Sequence, residues 1–229
     1  MSATSRLSAL LAMVLVAGCK GPEARVSRSD TTPAVPAVIE SPGALATRHE
    51  AQESLNRARA AFEQKQLETM RAELADAATF LRTEAQRTEG DAGVPLRLAA
   101  AELDSLARQA ASGAMPTARA VDRAFINANR AEARYHLLRA GGAIANGDNE
   151  RAGEELTMSV DHLERAAKDA GRQADTAIRT AIADARTLAS EMMKGAGAVP
   201  DEVWRVTEEL ERAIDRSTSG VGVRVRTEP

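Results

Sequence analysis

From residue 41 onward, apolar positions recur at steps of three and four with polar residues between them. Met70, Leu74, Ala78, Leu81 and Ala85 form one such series, and Leu96, Ala99, Leu103, Leu106 and Ala110 form another. That spacing lines side chains along one face of a helix. The intervening residues are mostly Ala, Leu, Glu, Arg and Gln, strong helix formers, with few β-branched or aromatic residues among them. The pattern predicts an all-α protein with helices over about 42–64, 66–88, 95–112, 116–146, 149–170, 172–194 and 200–217. Ser41 and Pro42 supply an N-cap and a first-position proline for the first helix. The stretches "TEGDAGVP", "GAMP", "NGD" and "GAGAVP" break the chain between helices. Asp201 and Glu202 place acidic charge at the start of the last, as the helix dipole favours.

The chain also repeats itself. Residues 55–113 shifted by 82 places match at Leu55/Leu137, Arg57/Arg139, Ala61/Ala143, Glu68/Glu150, Glu73/Glu155, Leu74/Leu156, Leu81/Leu163, Ala85/Ala167, Arg97/Arg179, Leu106/Leu188 and Gly113/Gly195. Phe62/Ile144, Leu96/Ile178 and Ala110/Met192 keep apolar character. This predicts a duplicated antiparallel helical bundle over 42–219, with copies at about 47–116 and 129–200 plus the last helix. Each copy is two long helices in a hairpin, a third packed along them, and a connector; stacking two such units buries a common core. Equal folding of the copies requires a turn near 170–172, where "TEGDAGVP" has its counterpart.

The two hairpins read "ARAAFEQKQLETMRAELADAATFL" and "AGGAIANGDNERAGEELTMSVDHL". They resemble the helical hairpins of tetratricopeptide-like proteins. More particularly, the phrase A-x-x-A-(I/L)-x-x-G-D-x-x-x-A-x-x-E-L resembles one that recurs in two halves of the YfdX family of exported enterobacterial proteins. The resemblance spans about residues 50–215 and implies an exported, oligomeric, stress-linked binding protein without established enzymatic chemistry. The first copy departs from the phrase, with Lys65-Gln66 where the second has Gly147-Asp148.

The N-terminal residues specify an address. An apolar stretch from Leu7 to Ala17 follows Arg6, and it is too short to span a bilayer, which takes about 20 residues. It has the layout of a secretory signal, residues 1–18. Val16-Ala17-Gly18-Cys19 resembles the lipobox of bacterial lipoproteins, which implies cleavage between Gly18 and Cys19 and acylation of the Cys19 thiol. Two or three chains on one residue hold a protein at a membrane stably, where a single myristoyl-type chain does not. The expected localisation is a bacterial membrane, facing the periplasm, and Lys20 favours the outer membrane. Residues 19–41, with Pro22, Pro33 and Pro36, read as a disordered tether; a flexible coil of about 25 residues reaches about 25–30 Å. In the last segment, 220–229, Val221, Val223 and Val225 alternate with Gly222, Arg224 and Arg226. A tail is expected there, with edge-strand addition to a partner sheet as the alternative.

Composition removes many classes of function. The net charge is −3, and −4 once the segment holding Arg6 is gone, so no polybasic surface for nucleic acid is expected. Cys19 is the single cysteine; once it is lipidated, disulfides, cysteine-zinc sites and CxxC chemistry are excluded. No GxSxG, Walker loop, GxGxxG or HExxH is present, and no enzyme and no cofactor are expected. Among His49, His136 and His162, only His136 has a neighbour of interest: Glu132 lies four residues before it, on the same helix face. Glu132 and His136 are half of a metal site in principle, but a solvated pair is the preferred reading, with His162 at the edge of the core. The aromatics Phe62, Phe80, Phe125, Tyr135 and Trp204 are expected to be buried anchors, and runs such as "DNERAGEEL" solvated faces. The function expected is a lipid-anchored structural or protein-interaction module of the cell envelope, docking an envelope protein or self-associating. The alternative is a small-ligand or metal-binding bundle with Glu132, His136 and His162 as its polar contacts.

Overall fold

The computed structural model describes residues 50–88, 90–170, 176–195 and 200–216. The signal, the lipobox with Cys19, the tether, the first turns expected from Pro42, His49 and the 220–229 tail lie outside the described residues. Within them there are seven α-helices and no strand: α1 (Glu50–Glu63), α2 (Leu67–Gln86), α3 (Val94–Ala111), α4 (Ala118–Ala145), α5 (Asn149–Asp169), α6 (Thr176–Met193) and α7 (Pro200–Arg216). A single 3₁₀ turn, Gly90–Gly93, leads into α3. Each helix packs on the next, and α7 also reaches back to α4 and α5. No helix here is long and apolar enough to cross a membrane.

The helix limits recur at the interval of 82 residues seen in the sequence. α3 and α6 begin and end at corresponding positions, as do the starts of α2 and α5, the starts of α4 and α7, and the ends of α1 and α4. Both tight hairpins close in the same way. Gln66 N–H donates to Ala61 O at 2.8 Å and Lys65 N–H to Phe62 O at 3.0 Å; Asp148 N–H donates to Ala143 O at 2.9 Å and Gly147 N–H to Ile144 O at 3.0 Å. These are the paired bonds of a Schellman turn, whose pivot must adopt positive φ. Gly147 does so at 75° and Lys65 at 58°, so the departure of the first copy from the glycine pattern is met by a strained lysine and not by a different turn.

One helix start shifts from expectation. The fourth helix begins at Ala118, not at Pro116, because Thr117 is extended and its hydroxyl accepts from Ala120 N–H at 3.2 Å, which makes it the cap. Asp148 caps α5 likewise through Arg151 N–H. α5 ends at Asp169 with Ala170 as its cap, where the duplication requires a turn; the start expected at Arg172 lies outside the described residues, which resume in the next helix at Thr176.

The core divides into two apolar clusters strung along α4. One draws on α1, α2, α3 and the first half of α4, including Leu74, Leu81, Leu103 and Phe125. The other draws on the second half of α4 with α5, α6 and α7, including Leu156, Leu163, Leu188 and Leu210. Of the aromatics, Phe125 and Tyr135 are buried and Phe62 and Phe80 are partly so. Trp204 is not an anchor: it is 69% exposed, because α7 turns Val203, Val206, Leu210, Ala213 and Ile214 inward and leaves position 204 on its outer face.

Candidate functional site

Where α4 passes from one apolar cluster to the other, its buried residues turn polar: Asn129, Glu132, His136 and Arg139 are each at most 5% exposed. α5 faces them with Glu155, Ser159 and His162, and α2 contributes Glu84, all equally buried. The one-turn spacing of 132, 136 and 139 along α4, and of 155, 159 and 162 along α5, puts both sets at the contact between the two helices. The preferred reading of Glu132 and His136 as a solvated pair is therefore wrong. α4 is packed on several sides at once, so a polar residue in its middle has no route to water. Glu155, in the run "DNERAGEEL" read as a solvated face, is fully buried for the same reason, and His162 lies in the interior instead of at the core's edge.

Hydrogen bonds orient the rings of the two histidines. His136 Nδ1 lies 2.7 Å from Glu155 Oε2, and the other oxygen of that carboxylate accepts from Arg139 Nε and Nη2 at 2.9 and 2.8 Å. Nδ1 is thus placed to donate to Glu155, and Nε2 faces Glu132 Oε2 at 3.8 Å. His162 Nδ1 lies 3.2 Å from Asn129 Oδ1. The Asn129 amide nitrogen donates to Phe125 O at 3.1 Å and to Asp169 Oδ2 at 3.4 Å, which turns its oxygen toward His162. His162 Nε2 is then the unprotonated nitrogen. Asp169 is held in turn by Arg59 from α1 at 3.2 Å, so the support of His162 extends back to the first hairpin. The two rings stack, with centroids 5.4 Å apart and planes inclined by 12°.

One ligating atom from each of Glu132, His136 and His162 falls within 4.8 Å of the others. Two imidazoles and a carboxylate, with both Nδ1 atoms hydrogen-bonded to oxygens, match the donor set and outer shell that transition-metal sites use. Donor atoms around a tetrahedral ion with bonds of 2.0–2.2 Å sit roughly 3.3 Å apart, so closure on an ion needs side-chain adjustments of about an ångström. Oxygen-only cations such as calcium are a poor match to imidazole nitrogen; zinc, ferrous iron and cobalt suit it. Glu132 adds a second observation. Its Oε1 is buried with no hydrogen-bond partner, a condition that native interiors rarely tolerate.

Burial pushes the Glu132 carboxyl up to about 8, and the nearby Glu84 carboxylate adds to the effect. Burial holds His162 well below the usual imidazole range, with the His136 and Arg165 charges adding to it. Both imidazole and carboxyl are therefore biased to their neutral forms in the metal-free protein. Tyr135, whose hydroxyl accepts from Arg139 Nη1 at 3.0 Å, is kept a phenol by burial and by Glu84.

The three residues singled out in the sequence are thus brought together. Asn129, Glu155, Arg139, Tyr135 and Glu84 were not singled out. A signal for two of them lay in the repeat: Arg57 pairs with Glu73 at 2.8 Å as Arg139 pairs with Glu155, and both partners match across the 82-residue shift. The positions of His136 and His162 carry Ser54 and Phe80 in the first copy. In comparisons with family models, curated proteins and solved structures, nothing matches this chain.

Proposed function

We propose that this chain is a duplicated helical metal-binding protein of the bacterial cell envelope, held at the membrane by lipid on Cys19 and facing the periplasm. The observation that carries the metal reading is the convergence of Glu132, His136 and His162 on one buried point, with both Nδ1 atoms tied to outer oxygens and one Glu132 oxygen left without a partner. The ligand class is a divalent transition cation. Each donor is at most 3% exposed, so an ion held there is screened from bulky substrates, with its fourth position left to a small ligand such as water. The recurrence of helix limits supports the duplication, and the lipobox resemblance supports the address.

Metal content of the purified chain tests the reading. One zinc or cobalt ion per chain is expected after loading and desalting, lost in both His136→Ala and His162→Ala. Equal retention by the wild type and these variants, or no retention by any, overturns it.

A docking role is the second reading, favoured by a groove of about 260 Å³ between α3, α4 and α7. Leu98, 67% exposed, stands in it beside Ala99 and Ile214, with Glu102, Arg130 and Arg134 around them. An apolar groove flanked by charge is the form a protein-interaction surface takes. Pull-down from detergent-solubilised membranes should recover an envelope partner with the wild type and lose it with Leu98→Asp; recovery unaffected by that change removes this reading.

A further inference from the structure

The proposed site has no opening of its own, because Glu132, His136 and His162 are each at most 3% exposed. A cation must therefore arrive through a neighbour. α1 and α2 enclose a cleft of about 530 Å³ lined by Ser54, Arg57, Asp76, Thr79, Thr83 and Glu84, among others. Glu84 belongs to both places. Its side chain is only 4% exposed, yet it lines the cleft, and on that side it pairs with Arg87 at 3.5 Å. On its inner side its charge bears on Glu132 and on Tyr135. Glu84 thus lines a cleft open to water and also acts on a proposed ligand.

We infer that the cation reaches the buried site through the α1–α2 cleft, and that Glu84 is the carboxylate that receives it there and passes it to Glu132. The inference rests on the metal reading above. Asp76 gives the mouth of the cleft an acidic side chain, while Arg57 is engaged by Glu73 at 2.8 Å and by Glu53 at 3.4 Å, which reduces its repulsion of a cation. The Arg87 contact is long and partly exposed, so a divalent ion can displace it at small cost. Once Glu84 has drawn the ion out of water, Glu132 offers its unpartnered oxygen as the next donor, and the two imidazole nitrogens complete the set.

The first arriving ligand controls the rate of binding, and the final set controls the spectrum. Rapid mixing of the metal-free full chain with cobalt(II), followed by its visible absorption, separates the two. Glu84→Gln should slow association about tenfold or more, the scale of a lost steering charge, and should leave the spectrum at saturation unchanged. Thr79→Trp, an exposed substitution that crowds the cleft without entering the core, should slow association as well. Unchanged rates in both variants overturn the route while leaving the metal reading intact, provided that His136→Ala still abolishes the signal. A changed spectrum at saturation in Glu84→Gln also overturns the inference, since Glu84 would then be a resident ligand. Absence of any cobalt signal in the wild type overturns both.

Discussion

A carboxyl group held near pKa 8 by its surroundings binds its proton more tightly folded than unfolded, and this gives Glu132 a measurable signature in the metal-free chain. Between about pH 4.5 and 8 the folded state carries one more proton at this position than the unfolded state, so stability falls as pH rises through that window. His162 acts in the opposite sense. Its depressed affinity for a proton means that the unfolded chain takes one up first, and stability is lost as pH falls below about 6.5. Below about 6.5 the two slopes oppose each other, and above it only the Glu132 slope remains, a decline toward pH 8. Glu132→Gln keeps the shape and removes the ionisation. Urea unfolding in the presence of a chelator should show the variant equal to wild type near pH 4 and more stable at pH 8, by an amount on the order of a few kcal/mol. Parallel pH profiles for the two proteins would show that Glu132 does not titrate as a buried acid. The sequence placed Glu132 and His136 on one helix face, because an interval of four does so in any helix. It could not say which face met solvent, since α4 is wrapped by neighbours of both clusters and its buried positions run round the helix. His162 was visible as a histidine standing for Phe80, but its stacking on His136 depends on how α5 lies against α4, which no local pattern encodes.

At the scale of elements, caps and turns decide where each helix stops, and most were legible because they use the residues that the geometry demands. Asp148 and Gly147 mark the α4–α5 hairpin openly. The α1–α2 hairpin hides the same turn behind Lys65, whose φ of 58° puts a β-carbon where glycine is favoured. A non-glycine residue in this region costs roughly 1–2 kcal/mol, whereas the extra chain entropy of glycine returns about 0.5–1 kcal/mol of that. Lys65→Gly should therefore stabilise the protein by about 1 kcal/mol, readable as a rise of a few degrees in Tm. A drop in Tm would mean that the lysine side chain makes a contact worth more than the strain. Gly153 gives the contrary case. In a helix interior alanine is favoured over glycine by about 1 kcal/mol, but a β-carbon at 153 would lie 2.6 Å from Ala189 O and 2.8 Å from Met193 Cγ on α6. Backbone cannot yield as a side-chain end does, so overpacking of about 1–3 kcal/mol outweighs the propensity. Gly153→Ala should lower Tm, and a neutral result would show that α6 shifts freely against α5. Position 71, its counterpart in the first copy, is an arginine, so this close approach belongs to one copy and leaves no trace in the repeat.

For the whole molecule, the two ends of the proposal depend on different parts of the chain and fail separately. The ion site needs α4 and α5 packed together, with α1 reaching Asp169 through Arg59 and α2 presenting Glu84. The address needs only Cys19 and the residues before it. Cys19→Ala removes the acyl acceptor and leaves every residue of the bundle in place. In the native host, wild-type protein should partition into detergent and sediment with membranes, while the variant should lose lipid labelling and, if it sediments, do so only as uncleaved precursor. Its folded bundle should still take up one cobalt ion per chain, because no helix here supplies a membrane span that binding depends on. Lipid labelling that persists in Cys19→Ala would defeat the lipoprotein reading, as there is no other cysteine in the chain. Loss of both lipid and metal together would instead tie the site to the membrane. That outcome would place the cleft between α1 and α2, and not the lipid alone, at the lipid surface.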